Sequence, residues 1–505
     1  MNMILLPLMV VIPLGGAFLI PLVSRRSKNL AGVLGNLATF SLLIISLALF
    51  QTHGVYKIGG WVPPIGINWV LDGLSNLMLV IVNLISFAAT FFSINYMQKY
   101  TALSKYYALF LLMVAGMNGV VMTGDLFNLF VFLEIASISS YALVAFGTEH
   151  EELEAAFRYL VLGSIGSTLI LMGIGFLYGL TGYLNMASIS LALAQGEKTF
   201  LHLFATVFFV VGFGIKAALV PFHPWLPDAH PSAPAPISAM LSGVLIKTLG
   251  VYAFIRVMFN VIGMTPLLGG ITIAIGVLSM TIGVFLAVGQ WDLKRLLAYH
   301  SISQMGYVVL GIGLGGYILA SKSNPATAAL AILGGLFHLA NHSVFKSLLF
   351  LCSGSIEYAT GTRQLKKMGG LIGRLPATGV TCIIASLSIA GVPPFNGFWS
   401  KLIIILAAFQ AGYYSLAAII ILVSFVTLVS FLKVMRYALL GSLPETLNSI
   451  KESPFLMAFS MALLAVLCLG MGLLLAPGLR EGILEPAVNV LTNGLGYAQN
   501  VFANL

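Results

Sequence analysis

The chain contains fourteen apolar runs, each long enough to cross the hydrocarbon layer of a membrane, and the twelfth run is interrupted. A transmembrane helix needs about 20 mainly apolar residues to span roughly 30 Å of hydrocarbon. The runs cover residues 3–23, 30–50, 74–95, 106–123, 125–147, 159–181, 201–220, 236–259, 264–289, 300–320, 327–352, 376–412, 413–437 and 455–476. Only 8% of the residues are charged, whereas a soluble domain carries about 25%. The sequence therefore predicts an all-α polytopic membrane protein with about 14 transmembrane helices.

Lysine and arginine residues are concentrated in loops on one side of this predicted bundle. Loops on the cytoplasmic side of a membrane protein hold the excess of positive charge. Fifteen of the 24 basic residues fall on one side: Arg25, Arg26, Lys28, Lys99, Lys105, Arg158, Lys294, Arg295, Arg363, Lys366, Lys367, Arg374, Lys433, Arg436 and Lys451. The other side holds five: Lys57, Lys198, Arg256, Lys322 and Arg480. This bias predicts a multi-pass protein of the cell inner (plasma) membrane with both termini outside.

The formal net charge of +9 is spread over many short loops. A nucleic-acid surface needs a clustered basic patch, so no nucleic acid is expected as a partner, and the apolar surface predicts contact with lipid. One predicted cytoplasmic loop opposes the positive bias with four carboxylates, Glu149, Glu151, Glu152 and Glu154. Such an acidic run is typical of a capped, solvated helix start.

Five charged residues lie inside the apolar runs: Glu134, Lys216, Lys247, Lys346 and Lys401. A charged side chain at the centre of a bilayer costs about 2.5–3.5 kcal/mol even on the most lenient insertion scale. We interpret these residues as groups that move protons or other ions across the membrane.

Two of the predicted spans are broken by proline close to one of these lysines. Lys216 precedes Pro221 in the seventh span, and Pro393 and Pro394 precede Lys401 in the twelfth. Irregular backbone at membrane depth occurs only where protein or water lines it, and paired broken helices indicate an internal repeat around an ion path. Five helices separate the two breaks, which predicts two five-helix units, helices 4–8 and helices 9–13.

The predicted organisation has five parts within one membrane domain, since no hydrophilic block separates soluble domains. The parts are residues 1–73 (helices 1 and 2 with a loop), 74–105 (helix 3), 106–260 (the first five-helix repeat), 261–438 (the second repeat) and 439–505 (helix 14 and a tail). The tail is predicted either to lie at the membrane interface or to pack against a partner subunit.

Glu134 and Lys216 are candidates for a switchable ion pair. If they face each other, each stabilises the charged form of the other, and a proton loaded nearby loosens the pair. The alternative is a static pair that fixes helix packing. Lys247 has no acidic residue in its own span and suits a proton relay, with a side chain that snorkels to the surface as the alternative.

His338, His342 and Lys346 recur every four residues, which places them on one helical face. Histidine accepts a proton on one ring nitrogen and releases one from the other, so this face predicts a proton track through the hydrocarbon. A metal or haem site and hydrogen-bonded core histidines are the alternatives. Lys401 is predicted to act as a terminal proton gate, with a snorkelling lysine at a helix end as its alternative.

No cofactor or metal site is predicted. Cys352, Cys382 and Cys468 are isolated, without the spacing of iron–sulfur or zinc ligands. The GIGLGG fragment at 311–316 lies inside a predicted span, where small residues allow close helix packing, and no strand precedes it. Nothing in the chain indicates redox or hydrolytic catalysis.

Five segments together resemble one known family. They are GDLFNLFVFLEI, GIKAALVPFHPWLPDAHPSAPAPISAMLSGVLIKTLG, DLKRLLAYHSISQMGY, LFHLANHSVFKSLLFL and GVPPFNGFWSK. The resemblance is to the antiporter-like subunits shared by complex I, membrane-bound hydrogenases and Mrp-type sodium/proton antiporters, and it runs from about residue 70 to 435. The whole chain is most similar to the D-type component of Mrp antiporters and its hydrogenase counterpart.

The resemblance implies a fourteen-helix fold with two inverted five-helix repeats, working as one module of a multi-subunit ion-translocating complex. It implies that Glu134 and Lys216 form the family's ion pair and that Lys247 is its central lysine. His338 and His342 are the implied linking histidines, and Lys401 the terminal residue, where some members carry glutamate. Other membrane subunits are the implied partners, with protons, and Na+ as a second candidate, as the transported ions.

Two further function classes remain open from the sequence. One is a stand-alone secondary transporter of a small solute, which broken helices also fit. The other is a redox enzyme that reduces quinone or holds haem. The chain carries no recognisable redox site, but it fits the ion-pumping subunit of an oxidoreductase complex as well as an antiporter.

Overall fold

The computed structural model describes residues 2–24, 29–196 and 199–504. Within these ranges, twelve helical segments are long and apolar enough to cross a membrane. Their main helices are α1 (Leu8–Val23), α2 (Asn29–Leu49), α3 (Gly73–Tyr96), α4 (Leu103–Met122), α5 (Leu126–Val144), α6 (His150–Thr181), the rod Ala235–Ile262, α12 (Pro266–Val288), α13 (Leu293–Ala320), α14 (Pro325–Thr360), α17 (Tyr414–Val434) and α18 (Phe455–Gly470). The predicted polytopic helical membrane protein is therefore confirmed.

The shorter helices lie between these spans or at the end of the chain. They are α7 (Met186–Gln195), α8 (Phe200–Lys216), α9 (Leu226–Ser232), α15 (Pro376–Ala390), α16 (Asn396–Gln410), α19 (Pro477–Leu479), α20 (Glu485–Thr492) and α21 (Tyr497–Ala503). The rod consists of α10 (Ala235–Met240), a π-helical stretch (Leu241–Tyr252), α11 (Ala253–Val257) and a second π turn (Met258–Ile262). Further π turns are Met435–Leu439 and Arg480–Leu484, and 3₁₀ turns are Asn2–Leu5, Ile58–Gly60, Met97–Lys99, Leu365–Lys367, Leu371–Gly373, Glu445–Leu447, Met471–Leu475 and Gly494–Gly496.

The prediction of an all-α chain is wrong at one hairpin. Strand β1 (Gly54–Lys57) pairs antiparallel with β2 (Asn68–Leu71), with Gly54 opposite Leu71 and Lys57 opposite Asn68. These strands lie in a connection that is too polar to form a span, where β-branched and aromatic residues favour extended backbone.

Two of the predicted spans begin too late in the chain. Helix α13 starts at Leu293, with Asp292 as its N-cap accepting a hydrogen bond from the Arg295 backbone, whereas the apolar run starts at residue 300. Helix α6 starts at His150, where Glu149 and Glu152 form a capping box, as the predicted capped start requires. Charged first turns lower the local hydropathy, so the apolar pattern alone misses them.

The bundle has two ends, which we name after a residue at each. The Asp72 end contains the β-hairpin, the start of α3 and both described ends of the chain, since Met3 lies beside Gly54 and Pro486 beside Gly73. The Glu357 end contains the start of α13 and the end of α14. Side chains on the outer helices, such as Phe40 of α2, are exposed and apolar, as a lipid-facing surface requires.

A buried ion pair fixes the Asp72 end. Asp72 caps α3, and the Arg256 guanidinium donates to both of its carboxylate oxygens at 2.7 and 2.8 Å. Arg256 also lies over the ring of Tyr497, while Asn260 donates to the Val490 and Gly494 carbonyls of the tail. The tail therefore packs on its own chain at this end of the bundle.

Helices α12 and α13 pack with their backbones in near contact. A Cβ added to Gly283 would lie 2.6 Å from the Ser303 nitrogen, and one added to Gly306 would lie 2.4 Å from the Met280 nitrogen. Only glycine permits such an approach. The Ser303 hydroxyl also donates to the Met280 carbonyl at 2.9 Å.

Two residues that the sequence places among the loop charges are buried in ion pairs. Arg256 is 3% exposed against Asp72, and Lys294 is 2% exposed with its Nζ 3.1 Å from Glu357 Oε2. Both lie within helices, where a carboxylate from another element compensates the charge. Arg25, Arg26, Lys28 and Lys198 lie outside the described residues.

We expect Arg256→Met to destabilise the protein strongly. Removing one partner of a buried pair leaves an unpaired charge and costs about 3–5 kcal/mol. The thermal unfolding midpoint of the purified protein should fall well below that of the matched control Arg295→Met, which changes an arginine that is 44% exposed. Equal midpoints for the two variants would contradict the role of the pair.

The Asp72 carboxyl also predicts a pH dependence of stability. Burial alone would raise its pKa, but the Arg256 guanidinium and its hydrogen bonds outweigh this and hold the pKa below its usual value. A depressed folded-state pKa contributes stability above the unfolded pKa of about 3.9, and this contribution is lost as the pH falls through the folded pKa. The difference in unfolding midpoint between the native protein and Asp72→Asn should stay constant above about pH 5 and narrow below about 3.9. A pH-independent difference would contradict this.

Candidate functional site

The first break in the bundle follows Lys216 directly. Helix α8 ends at this residue, and Ala218 takes a positive φ of 53° before the chain continues into α9. The break frees carbonyl groups of the last helical turn, and the Trp225 indole donates to one of them, the Ile215 oxygen, at 3.0 Å. The Trp225 ring stacks on Tyr159 of α6, which ties the break to the neighbouring helix.

Lys216 and Glu134 face each other across α8 and α5. The Lys216 Nζ lies 3.6 Å from Glu134 Oε1, and its side chain is 4% exposed, whereas that of Glu134 is 25% exposed. Ser167 of α6 donates to the same carboxylate oxygen. The ammonium group donates to Ser137 Oγ at 3.0 Å and to the Tyr141 hydroxyl at 3.2 Å. The pair is thus a long ion pair in which each member has hydroxyl partners as well.

Lys247 lies in the π-helical stretch of the rod and is fully buried. Its Nζ donates to the carbonyls of Ser242 and Gly243, both at 2.6 Å, and to no carboxylate among the described residues. Three residues later, Gly250 packs directly against Ala217, the residue after Lys216. The rod therefore places Lys247 one turn from the break in α8. Its full burial is incompatible with the snorkelling alternative.

His338 and His342 are fully buried on α14, with ring centroids 6.5 Å apart. The His338 Nδ1 lies 2.9 Å from Ser400 Oγ, and its Nε2 lies 3.2 Å from Gln304 Oε1. Within the described part of the chain, neither ring nitrogen of His342 has a hydrogen-bond partner. His338 is therefore a hydrogen-bonded histidine, whereas His342 has no hydrogen-bond partner among the described residues.

Lys401 reaches back from α16 to the second break. Its Nζ donates to the Ile389 carbonyl at 2.8 Å and the Ala390 carbonyl at 3.4 Å, which are the last carbonyls of α15. The ammonium also lies 4.8 Å from the centroid of the Tyr307 ring, whose centroid is 5.3 Å from that of His338. Lys401 is 3% exposed, so its side chain does not snorkel.

Lys346 lies on the same face of α14 as His338 and His342. Its Nζ donates to the Leu297 carbonyl of α13 and lies 5.4 Å from the Phe350 ring. The Phe350 ring also stacks on the imidazole of His230 in α9, with the two ring centroids 4.5 Å apart. His338 and Lys346 therefore both contact α13, through Gln304 and Leu297 respectively.

Sequence reasoning missed several polar groups of this interior. His230 and His300 are fully buried, and Tyr307, Gln304 and Ser400 connect His338 with Lys401. His230 lies in the proline-rich segment after the first break, and His300 is the first residue of a predicted span. In the sequence, both therefore looked like residues near the membrane surface rather than buried ones. A search for any histidine within two turns of an apolar run would have found them.

The fold and these contacts define a polytopic membrane subunit whose interior is crossed by titratable groups. The chain matches the family described as "NADH:quinone oxidoreductase/Mrp antiporter, TM" over residues 123–427 and "NADH-Ubiquinone oxidoreductase (complex I), chain 5 N-terminus" over residues 61–107. It belongs to this family and is an antiporter-like subunit of the kind found in Mrp antiporters, hydrogenases and complex I-type complexes.

Two relatives and one solved structure show the same family membership. The N-type component of the NADH-quinone oxidoreductase of Desulforudis audaxviator is 36% identical over 452 residues, which cover 87% of each chain. The D-type component of the Na(+)/H(+) antiporter of Alkalihalophilus pseudofirmus is 34% identical over 455 residues, 88% of each chain. A chain in the solved structure of the Mrp complex from Dietzia superposes with a TM-score of 0.88 at 28% identity, covering 98% of this chain and 99% of that chain.

We expect Tyr141→Phe to destabilise the protein moderately. The substitution removes a hydroxyl that accepts from the Lys216 ammonium, and a hydrogen bond to a charged group contributes about 1.5–3 kcal/mol. The thermal unfolding midpoint should fall relative to Tyr178→Phe, a matched change at a residue of α6 that is 52% exposed. A variant as stable as this control would show that the contact contributes nothing.

Proposed function

We propose that this chain is the proton-translocating subunit of a multi-subunit membrane complex, either an Mrp-type cation/proton antiporter or the ion-pumping module of a hydrogenase or complex I-like oxidoreductase. One observation carries the proposal. A carboxylate–lysine pair is followed by buried basic groups that have no counter-charge among the described residues. Lys247, His338 and Lys401 have carbonyl, hydroxyl or amide partners, and His342 has no hydrogen-bond partner among those residues.

The Glu134–Lys216 pair acts as the switch. At 3.6 Å the ammonium is shared between the carboxylate and the hydroxyls of Ser137 and Tyr141. A proton that reaches Glu134 removes the Coulomb attraction, and Lys216 then shifts fully to its hydroxyl partners. Because Ala217 packs against Gly250, a movement of Lys216 displaces the turn of the rod that contains Lys247.

Lys247, His342 and His338 act as the relay. A lysine held only by carbonyls loses its proton without leaving an unpaired carboxylate behind, and a neutral histidine accepts it. The unpartnered nitrogens of His342 and the two hydrogen bonds of His338 provide successive positions for the proton. Water completes the connections that exceed hydrogen-bond length.

Lys401 acts as the terminal group. It lies beside the Tyr307 ring and over the carbonyls at the end of α15, where the break allows backbone polar groups at membrane depth. Lys346 belongs to the same interior and serves as a branch toward α13. Protons are the transported ion, and Na+ is the candidate for the ion exchanged or co-transported by the complex.

The finer architecture follows from the same two breaks. Helices α8 with α9 and α15 with α16 each form one interrupted crossing, which brings the twelve long spans to fourteen. Residues 106–260 and 261–438 then form two inverted five-helix repeats, flanked by 1–73, 74–105 and 439–505. Each repeat contains one break and one lysine at it, Lys216 or Lys401.

The Glu357 end faces the cytoplasm, and both termini lie outside in the plasma membrane. Basic residues such as Arg158, Arg295 and Arg363 gather at that end, as cytoplasmic loops require. Other membrane subunits are the partners. Any redox reaction of the complex takes place on those subunits and not on this chain.

We expect Lys216→Ala and Glu134→Ala to abolish proton translocation. Positioned proton-transfer groups contribute about 10²–10⁴-fold to rates, so proton flux should fall by at least about a hundredfold. The measurement is proton flux in liposomes that contain the purified, fully assembled complex.

Lys105→Ala and Glu151→Ala serve as matched controls, since both residues are exposed. They should leave the flux unchanged. Normal flux in an assembled Lys216→Ala or Glu134→Ala complex would refute the switch. Robust solute flux by the chain alone in liposomes would favour the stand-alone transporter.

A further inference from the structure

His300 is a buried histidine outside the series from Lys247 to Lys401. It is the eighth residue of α13 and is fully buried. Its Nε2 lies 2.8 Å from the hydroxyl of Ser430 on α17, and its Nδ1 has no hydrogen-bond partner in the part of the chain that the structure describes. The ring packs against Phe431, with centroids 4.8 Å apart. One side of the imidazole is therefore fixed and the other is open for proton exchange.

Lys346 binds the backbone of α13 near His300. Its Nζ donates to the Leu297 carbonyl, and Leu297 precedes His300 by one helical turn, so the two lie on one face of α13. The ammonium groups whose charges act on the His300 ring belong to Lys346, Lys401 and Lys433.

Ser430 lies on α17 between the His300 imidazole and Lys433, which is nearer the Glu357 end. Lys433 lies one turn further along α17, half-buried, and its Nζ donates to the Val288 carbonyl at 2.7 Å and the Gln290 carbonyl at 2.6 Å. The same ammonium lies 5.0 Å from the Trp291 ring, at the junction of α12 and α13. Polar groups thus extend from Lys346 in the interior to a lysine that reaches solvent.

We propose that His300 is a proton-transfer residue that connects Lys346 to the Glu357 end through Ser430 and Lys433, as an access route separate from the Glu134–Lys216 switch. This inference rests on the proposed function, because it assigns a route for the same protons. It assigns a role to the contact that the Lys346 ammonium makes with the Leu297 carbonyl of α13.

The transfer step is balanced within the imidazole. A proton from Lys346 or an intervening water binds Nδ1 and forms the imidazolium. The Nε2 proton then leaves to the Ser430 oxygen, whose own hydroxyl proton passes on toward Lys433, and the ring returns to neutrality as the other tautomer. Ring rotation or return transfer restores the first tautomer.

The competing explanation is a packing histidine that only holds α13 against α17. Glutamine distinguishes the two, because its side-chain amide can hydrogen-bond Ser430 but cannot carry a proton between two nitrogens at neutral pH. The test measures proton flux in liposomes that contain the assembled complex with His300→Gln, alongside the thermal unfolding midpoint. His150→Gln, at an exposed histidine of α6, is the matched control.

We expect His300→Gln to lower the flux by at least about tenfold while the unfolding midpoint stays near that of the native complex and the His150→Gln control keeps full flux. Normal flux in His300→Gln would overturn the proposal. If that variant does not assemble, Ser430→Ala decides, since it removes only the hydroxyl: reduced flux supports the route, and normal flux overturns it. Lys216→Ala separates the two proposals, because normal flux in that variant contradicts the switch and not the His300 route.

Discussion

Backbone carbonyls, not carboxylates, hold most of the buried ammonium groups of this protein. Lys247, Lys346 and Lys401 each donate to main-chain oxygens, whereas Lys216 and Lys294 are the buried lysines of the described chain that have a carboxylate beside them. A buried ammonium without partners is not tolerated, whereas carbonyl dipoles compensate it partly and do not titrate. Such a lysine keeps a stable position whether or not it carries a proton. In this respect the three lysines differ from the structural ion pair of Asp72 and Arg256, in which both partners are charged.

The breaks in α8 and α15 provide these conditions at membrane depth. A regular helix has no free carbonyl in its middle, but a helix end leaves several. In the first break the Trp225 indole donates to the Ile215 carbonyl, and the Lys216 ammonium donates to the hydroxyls of Ser137 and Tyr141. In the second break Lys401 itself takes the freed carbonyls of Ile389 and Ala390. The two breaks thus leave backbone carbonyls that are satisfied by different side chains, an indole at the first and the lysine itself at the second.

The sequence predicted most of the spans, both breaks and the family, because apolar length and proline act locally. It also named Glu134, Lys216, Lys247, His338, His342, Lys346 and Lys401, since a charge within an apolar run is visible without a structure. It did not predict which of them meet. That Lys346 turns to Leu297, or that Tyr307 lies between His338 and Lys401, depends on packing between distant helices. The β-hairpin and the charged first turn of α13 were missed because hydropathy reports lipid contact and not hydrogen bonding, whereas the acidic run at 149–154 predicted the capped start of α6.

The glycine contacts between α12 and α13 limit how this protein changes shape. Two helices whose backbones touch at Gly283 and Gly306, with a hydroxyl bridging them at Ser303, cannot slide or rotate past each other without collision. Helices α12 and α13 therefore form one rigid pair. A change of shape therefore has to occur outside this helix pair, and the breaks after Lys216 and Ala390 lack the continuous backbone hydrogen bonds that stiffen a helix.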